Sequence, residues 1–108
     1  MDESRYLHLA DEAFKRIQDA FEPLDPDDAE AYAAGDVLTI TFRDGSRCVV
    51  NTQRPTRQLW LAARARAWHF SYDEATARWL DDKGRGDELY ATIARVVHET
   101  AGVTVALP

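Results

Sequence analysis

The sequence predicts an α+β protein in which two helices pack on one face of an antiparallel sheet of five to six strands. Apolar residues recur with helical periodicity near both ends of the 108-residue chain, whereas apolar and polar residues alternate between them as in strands. Short turns separate the predicted strands, which favours an antiparallel meander. One sheet with both helices on the same face buries both helix stripes, so we expect a two-layer α/β sandwich and a single domain over residues 1–108.

The first helix is predicted over residues 3–21. Asp2 is the expected N-cap, and Pro23 ends the helix because proline has no amide hydrogen to donate. The proline-containing, acidic stretch 22–30 is predicted to be a polar loop. The residues that recur at helical spacing, and so form the predicted buried stripe, are Tyr6, Leu9, Ala10, Ala13, Phe14, Ile17, Ala20 and Phe21.

The middle of the chain alternates as strands do. Asp44-Gly45 predicts a tight hairpin turn, because such turns need positive φ angles. Asp87 is the expected N-cap of a second helix that extends to about Thr100, and Gly102 is its expected stop. The alternation predicts strands over residues 37–42, 47–51, 58–63, 68–72 and 77–80.

Charge is distributed very unevenly along the chain. Residues 1–30 contain ten acidic and three basic residues, a balance of −7, whereas residues 31–108 contain nine acidic and ten basic residues, a balance of +1. Six arginines lie between Arg43 and Arg66, with Asp44 as the only acid among them. The acidic end favours cations and basic protein surfaces and disfavours nucleic acid, because phosphates are repelled there.

Two compositional features bear on location. Cys48 is the only cysteine, which excludes an intrachain disulfide framework and favours a reducing compartment, most simply the cytoplasm. The longest uninterrupted apolar run, residues 59–63, is far too short to cross a bilayer, and the start Met-Asp-Glu is unlike a signal peptide. We therefore expect no association with a membrane.

Motifs of the common enzyme classes are missing from the sequence. It has no glycine-rich nucleotide loop, no Gly-x-Ser-x-Gly and no His-Glu-x-x-His. His8, His69 and His98 fall on different predicted elements, and His69 and His98 are interpreted as structural or solvated. Cys48 is interpreted as a small buried residue. The sequence therefore predicts a protein without a catalytic constellation.

The exposed face of the first helix is the strongest candidate site. Crowded carboxylates repel one another, and a hard cation that takes oxygen ligands relieves this repulsion. The alternative is an ordinary solvated helix face, but such faces mix charges more evenly. Lys15 accompanies the acidic residues on this face, and three acids of the following loop extend the row. The helix members are His8, Asp11, Glu12, Asp19 and Glu22, and the loop members are Asp25, Asp27 and Asp28.

A second candidate site lies on the predicted sheet. If Leu59 and Leu61 face the helices, Trp60 points to the open face together with Gln58. Two interpretations stay open: Trp60 stacks on neighbouring side chains of that face, or it is an anchor for a protein partner. Nearby aromatic residues at a period of two, such as Trp68, are interpreted as sheet packing.

Taken together, these patterns resemble the frataxin family, in its bacterial CyaY type, over nearly the whole chain. The most specific block is Asn51-x-Gln53-x-Pro55-x-x-Gln58-Leu-Trp60-Leu-Ala62. The other segments that carry the resemblance are the acidic first helix with Leu9-Ala10-Asp11, the strand from Gly35 to Phe42, Asp44-Gly45-Ser46, and Trp68-His69-Phe70.

The resemblance implies the α/β sandwich of the family and weak binding of ferrous or ferric iron, with other divalent cations as alternatives. It also implies docking on the cysteine desulfurase of iron–sulfur cluster assembly, with the sheet surface expected to meet either the desulfurase or the cluster scaffold protein. The positions that match the family's acidic ridge are Glu3, Asp11, Asp19, Glu22, Asp25, Asp27 and Asp28, and those that match its partner-binding sheet surface are Asn51, Gln53, Gln58 and Trp60. Leu7, Gln18 and Pro23 depart from the family pattern.

We therefore expect an iron-binding regulator of cluster assembly that is not an enzyme and is monomeric unless iron drives oligomers. Asp11, Asp19 and Glu22 are the ridge residues expected to contact the desulfurase. Two alternatives stay open: ferroxidase or iron-storage activity on the same ridge, and an acidic protein-interaction module with no role for a metal.

Overall fold

The computed structural model, which describes all 108 residues, has two helices and a six-stranded antiparallel sheet, which confirms the predicted fold class. The strands are hydrogen-bonded in chain order. A short 3₁₀ turn at Arg54–Thr56 connects the third and fourth strands. The elements are α1 (Glu3–Phe21), β1 (Ala29–Ala34), β2 (Val37–Phe42), β3 (Arg47–Gln53), β4 (Gln58–Ala63), β5 (Arg66–Asp73), β6 (Arg78–Asp81) and α2 (Leu89–Ala101).

Both helices pack on the same face of the sheet and share one apolar core. Alternate strand residues point into this core, among them Leu38, Ile40 and Phe70. Trp79, rather than Leu80, is the buried apolar residue of β6, and its ring contacts Tyr72 edge-on at a centroid distance of 5.3 Å. The opposite face of the sheet has no covering layer and is free to present side chains.

The helix ends follow the capping rules, with one correction. The Asp2 carboxylate accepts a hydrogen bond from the Arg5 amide at 2.8 Å, as predicted for the N-cap of α1. The prediction that Asp87 caps α2 is wrong: the cap is Glu88, which accepts from two backbone amides of the first turn. Asp87 instead accepts the indole hydrogen of Trp68 at 3.0 Å. Neither helix combines the length and apolar character needed to span a bilayer.

The sequence pattern missed the first strand. Residues 29 and 30 were predicted as loop, and the pattern gave no strand before Val37, yet β1 occupies Ala29–Ala34. It pairs with β2 in a register that runs from Ala29 opposite Phe42 to Ala34 opposite Val37. Only Gly35 and Asp36 connect β1 to β2, and this tight turn can form because Gly35 adopts a φ of +59°. The strand at 77–80 is displaced by one residue, because Ala77 has a φ of +56° and belongs to the turn.

Candidate metal-binding ridge and partner surface

One flank of the molecule is acidic, formed by the outer face of α1 and the loop that follows it. We call this surface the acidic ridge. Its α1 members are exposed because the buried stripe of the helix faces the sheet, and only Asp28 of the loop is partly buried. The ridge comprises Glu3, His8, Asp11, Glu12, Asp19, Glu22, Asp25, Asp27 and Asp28.

Three ridge carboxylates form ion pairs within the protein. On α1, Lys15 lies 3.0 Å from Asp19 and Arg16 lies 3.5 Å from Glu12, each pair one helical turn apart. These pairs are well exposed, so each contributes at most about 1 kcal/mol and leaves its carboxylate accessible. No ion pair engages Glu3, Asp11, Glu22 or Asp27.

The third pair joins the ridge to the sheet. Arg43, in the turn after β2, donates a hydrogen bond to the Asp28 carboxylate at 2.8 Å. This hydrogen bond and the Asp28 charge raise the pKa of Arg43, and the negative charges of Asp27 and Asp25 add to the effect. The loop acids therefore act together as one negative field at the position of Arg43.

The loop acids are organised by a turn around Asp25. The Asp25 carboxylate accepts a hydrogen bond from the Asp27 amide at 2.9 Å, and the Asp25 carbonyl accepts from the Asp28 amide at 2.9 Å. Such Asx turns hold short acidic loops in a fixed shape. The carboxylate of Asp27 itself accepts no hydrogen bond from the protein, so it is free to face solvent or a ligand.

The ridge does not form a closed metal cage. No three histidine, cysteine, aspartate or glutamate side chains converge as a metal-binding group. A shallow depression on α1 is lined by His8, Asp11, Glu12 and Lys15, and the lysine ammonium there would compete with a cation. A metal on this ridge would take one or two protein ligands and complete its coordination with water, which favours weak binding.

Repulsion along the ridge predicts a small stability gain from charge removal. Asp19 and Glu22 are three residues apart at the end of α1, and like charges at helical spacing destabilise by about 0.2–0.5 kcal/mol per pair. We expect Glu22→Gln, which removes the unpaired member of this couple, to raise the melting temperature slightly in low salt, and added salt to raise that of the parent chain. Thermal unfolding followed by circular dichroism measures both. A decrease in both measurements would contradict repulsion on the ridge.

The second candidate site is a row of side chains across the open face of the sheet. Asn51 of β3, Trp60 of β4 and His69 of β5 are directly opposite one another in the strand register. The Trp60 and His69 rings stack with centroids 4.1 Å apart and planes inclined by 13°. The interpretation that Trp60 packs on neighbouring side chains is confirmed by this stack, and the Trp60 side chain remains partly exposed.

Hydrogen bonds hold this row in place. The Trp60 indole donates to the Gln58 side-chain oxygen at 2.9 Å, and the Gln58 amide donates to Asp82 at 2.9 Å and to Ser71 at 3.1 Å. The Gln53 side chain donates to that of Asn51 at 3.1 Å. We call Asn51, Gln53, Gln58, Trp60, His69, Ser71 and Asp82 the sheet patch.

One buried residue of α1 supports the sheet patch from behind. The Tyr6 hydroxyl donates a hydrogen bond to the Gln58 carbonyl at 2.6 Å and accepts one from the Gln53 amide at 3.0 Å. Its ring is fully buried in the core. Tyr6 therefore fixes the two ends of the connection between β3 and β4, the segment that presents the glutamines.

Comparison with known proteins decides the family. A sequence model described as a frataxin-like domain matches residues 1–103. The chain belongs to the frataxin family. It is 41% identical over 108 residues to the iron–sulfur cluster assembly protein CyaY of Azotobacter vinelandii, covering 100% of this chain and 96% of the relative. The CyaY of Pseudomonas aeruginosa is 39% identical over 108 residues, covering 100% and 98%.

A solved frataxin structure agrees with this assignment. The frataxin of Psychromonas ingrahamii superimposes with a TM-score of 0.88 at 28% identity, over 97% of this chain and 96% of that one. The resemblance to the frataxin family inferred from Asn51, Gln53 and Trp60 is thereby confirmed.

In this frataxin-family chain the predicted site residues form two separate groups. The ridge residues follow α1 and its loop, whereas the four predicted sheet residues lie together on the open face. Sequence reasoning did not assign His69, Ser71 and Asp82 to the sheet patch. The alternation of residues 68–72 places His69 and Ser71 on the open face, but only the strand register shows which residues they meet. Asp82 lies directly after β6, and no motif or periodicity in the sequence assigned it to this surface.

The single cysteine belongs to neither group. Cys48 is fully buried in the core, and burial raises the pKa of its thiol to about 12. The thiol therefore stays protonated at physiological pH, which makes it a packing residue as predicted.

Proposed function

We propose that this frataxin-family chain is an iron-binding regulator of iron–sulfur cluster assembly, acts in the cytoplasm and is not an enzyme. The observation that carries the proposal is the acidic ridge, with carboxylates such as Asp11 and Glu22 exposed and without ion pairs on one flank. The names of the Azotobacter and Pseudomonas relatives, which assign those proteins to iron–sulfur cluster assembly, support the same role.

The ridge docks on a basic patch of the cysteine desulfurase. An extended flank of one charge sign steers a partner of opposite sign and orients it before contact. Asp11, Asp19 and Glu22 lie along the outer side of α1 and are the residues proposed to meet the desulfurase. The same field repels phosphate groups, so nucleic acid is a poor competitor for the ridge.

The ridge also holds iron as cargo. Carboxylate oxygens suit ferrous and ferric ions, and they bind other divalent cations as well. Because no three side chains converge, each ion takes one or two carboxylates from the chain and water for the rest. An ion with free coordination positions can pass to a partner, and it can accept carboxylates of a second copy, which would make oligomers depend on iron.

The sheet patch provides the second contact, with the desulfurase or with the cluster scaffold. Trp60 is held by its stack on His69 and by its hydrogen bond to Gln58, so it loses little conformational freedom when a partner covers it. Rigid tryptophans surrounded by polar groups are typical anchors of protein interfaces. Asn51 and Gln53 supply amides at the margin of this anchor.

The test of the ridge model is a double charge reversal, Asp11→Lys with Glu22→Lys. Neither carboxylate has an internal ion-pair partner, so the substitutions leave no cation stranded. We expect at least about a tenfold loss of affinity for the desulfurase, because like charges then face each other across the interface. Binding is measured by titration of the purified proteins at low salt, with and without ferrous iron.

A matched control reverses two exposed carboxylates outside the ridge that also have no ion-pair partner, Asp44→Lys with Glu99→Lys. It changes the net charge by the same amount and should retain affinity within about threefold. Circular dichroism verifies that both variants are folded. Equal losses in the two variants would mean that only net charge matters, and unchanged binding of the ridge variant would reject docking through the ridge.

A further inference from the structure

The two edges of the sheet differ in how they are covered. At the β6 edge, Leu80 forms a β-bridge with Glu88, and the Asp81 amide donates to the Asp87 carbonyl at 2.9 Å. The segment before α2 thus closes that edge. At the other edge, β1 has β2 as its only strand neighbour. An uncovered edge presents backbone groups that can pair with another chain.

The turn geometry identifies the free backbone groups of β1. Ala34 and Val37 flank a two-residue connection and so form a hydrogen-bonded pair. Because such pairs alternate along an antiparallel ladder, Glu30 and Tyr32 also bond to β2, while Ala31 and Ala33 direct their N–H and C=O groups outward. The backbone hydrogen bonds of turns and loops do not use Ala31 or Ala33.

A cleft runs beside this edge. It measures about 320 Å³ and lies between the end of α1, the following loop and β1, with Phe21, Leu24 and Ala31 as apolar lining and Glu22 and Glu30 as acidic lining. The side chains of β1 that face the helices are alanines, whereas those of β2 are larger. The small alanine side chains leave the space that forms the cleft. A side chain from an added strand has room to enter it.

We propose that the β1 edge binds an extended basic segment of a partner protein as an additional antiparallel strand. The charge of this end of the chain favours a basic partner segment over a second copy of the chain. Residues 1–30 carry ten acidic and three basic residues, so two copies that met at their β1 edges would repel each other. The site goes beyond the proposed function, since it needs neither iron nor a desulfurase.

The side-chain pattern of the segment follows from the strand period. The residue opposite Ala31 points to the cleft and the residue opposite Ala33 lies on the same face, so both should be apolar. Their neighbours lie beside Glu30 and Tyr32 on the open face and should be lysine or arginine. Tyr32 is 67% exposed, so its ring is available to a cation. Main-chain pairing with pockets for alternate side chains is how strand-adding sites recognise peptides.

The test uses the peptide acetyl-Lys-Val-Lys-Val-Arg-amide, titrated into the isotope-labelled full chain and followed by NMR. We expect the largest amide shifts at Ala31 and Ala33. N-methylation of both valine amides keeps the charge and the apolar side chains but removes the donors that face β1, and it should weaken binding at least about tenfold. Ala33→Pro, which removes one outward N–H of the edge, should weaken the unmodified peptide similarly.

Three outcomes would overturn the proposal. Equal binding of the methylated and unmodified peptides would mean that the ridge attracts any cationic peptide, and absence of binding would mean that the edge is inert. Dimerisation of the chain through β1, detected by sedimentation at increasing concentration, would identify a second copy as the occupant. The methylated peptide is tested on the parent chain, so the result stands even if Ala33→Pro does not fold.

Discussion

Replacing Tyr6 by phenylalanine is expected to lower the free energy of unfolding by about 2–3 kcal/mol, because two part-buried backbone groups lose their hydrogen-bond partner. The Tyr6 hydroxyl is the acceptor for the Gln53 amide and the donor to the Gln58 carbonyl. Burial raises the pKa of Tyr6, so the hydroxyl is neutral and able to donate at physiological pH. Urea denaturation followed by circular dichroism measures the loss.

Tyr32→Phe is the matched control, because its hydroxyl is on a side chain that is 67% exposed. It should change stability by no more than about 0.5 kcal/mol. In Tyr6→Phe, hydrogen exchange should accelerate at the Gln53 amide more than at Leu38 in the core. A Tyr6→Phe variant as stable as the parent chain would show that the hydroxyl does not hold the β3–β4 connection.

The Tyr6 contacts connect the two candidate sites physically. α1 carries the ridge on its outer face and, through Tyr6, fixes the backbone that presents Gln53 and Gln58 of the sheet patch. The outer and inner faces of one helix thus serve two different surfaces. A change in how α1 packs would therefore move the sheet patch without altering any residue within it.

Most of the fold could be predicted because its periodic signals are strong. The apolar arc of α1 and the alternation of Leu38, Ile40 and Phe42 are each produced by a single buried face, and such patterns are legible without tertiary information. β1 could not be predicted in this way. Its sequence, Ala-Glu-Ala-Tyr-Ala-Ala, has little strand propensity, and it becomes a strand because the outer edge of β2 offers it a partner.

The α2 cap shows a second limit of local rules. Asp87 and Glu88 are adjacent, and Asp is the commoner cap. The indole of Trp68, 19 positions away in sequence, takes the Asp87 carboxylate as its acceptor, and Glu88 then caps the helix. A contact between distant elements thus overrides a preference that concerns only neighbours.

The candidate site was predictable to the extent that it lies on one element. The ridge follows α1, so helical spacing alone brings Asp11, Glu12 and Asp19 to one side. The pairing of Arg43 with Asp28 and the stack of Trp60 on His69 depend on strand register and loop shape instead. Those contacts cross between elements, and no local pattern specifies them.

Asp81→Asn is expected to lower the free energy of unfolding by about 2–3 kcal/mol at neutral pH. The Asp81 side chain is completely buried and accepts hydrogen bonds from Arg85 Nε and Nη2, both at 3.0 Å, and from the Arg85 amide at 3.3 Å. Asparagine has nearly the same size, but it is uncharged, and its side-chain NH2 group would face the N–H donors of Arg85. Glu99→Gln, at an exposed carboxylate, is the control and should change stability little.

The stability difference between the parent chain and Asp81→Asn should depend on pH in one direction. The hydrogen bond from Arg85 lowers the pKa of Asp81, although burial acts against it. A lowered folded pKa means that the carboxylate stabilises the fold fully above the unfolded value of about 4, and that this contribution is lost as the pH falls through the folded pKa. Urea denaturation at a series of pH values should therefore show a constant difference near neutrality that shrinks below about pH 4. A difference that grew on acidification would mean that the buried Asp81 is protonated and that Arg85 does not hold its charge.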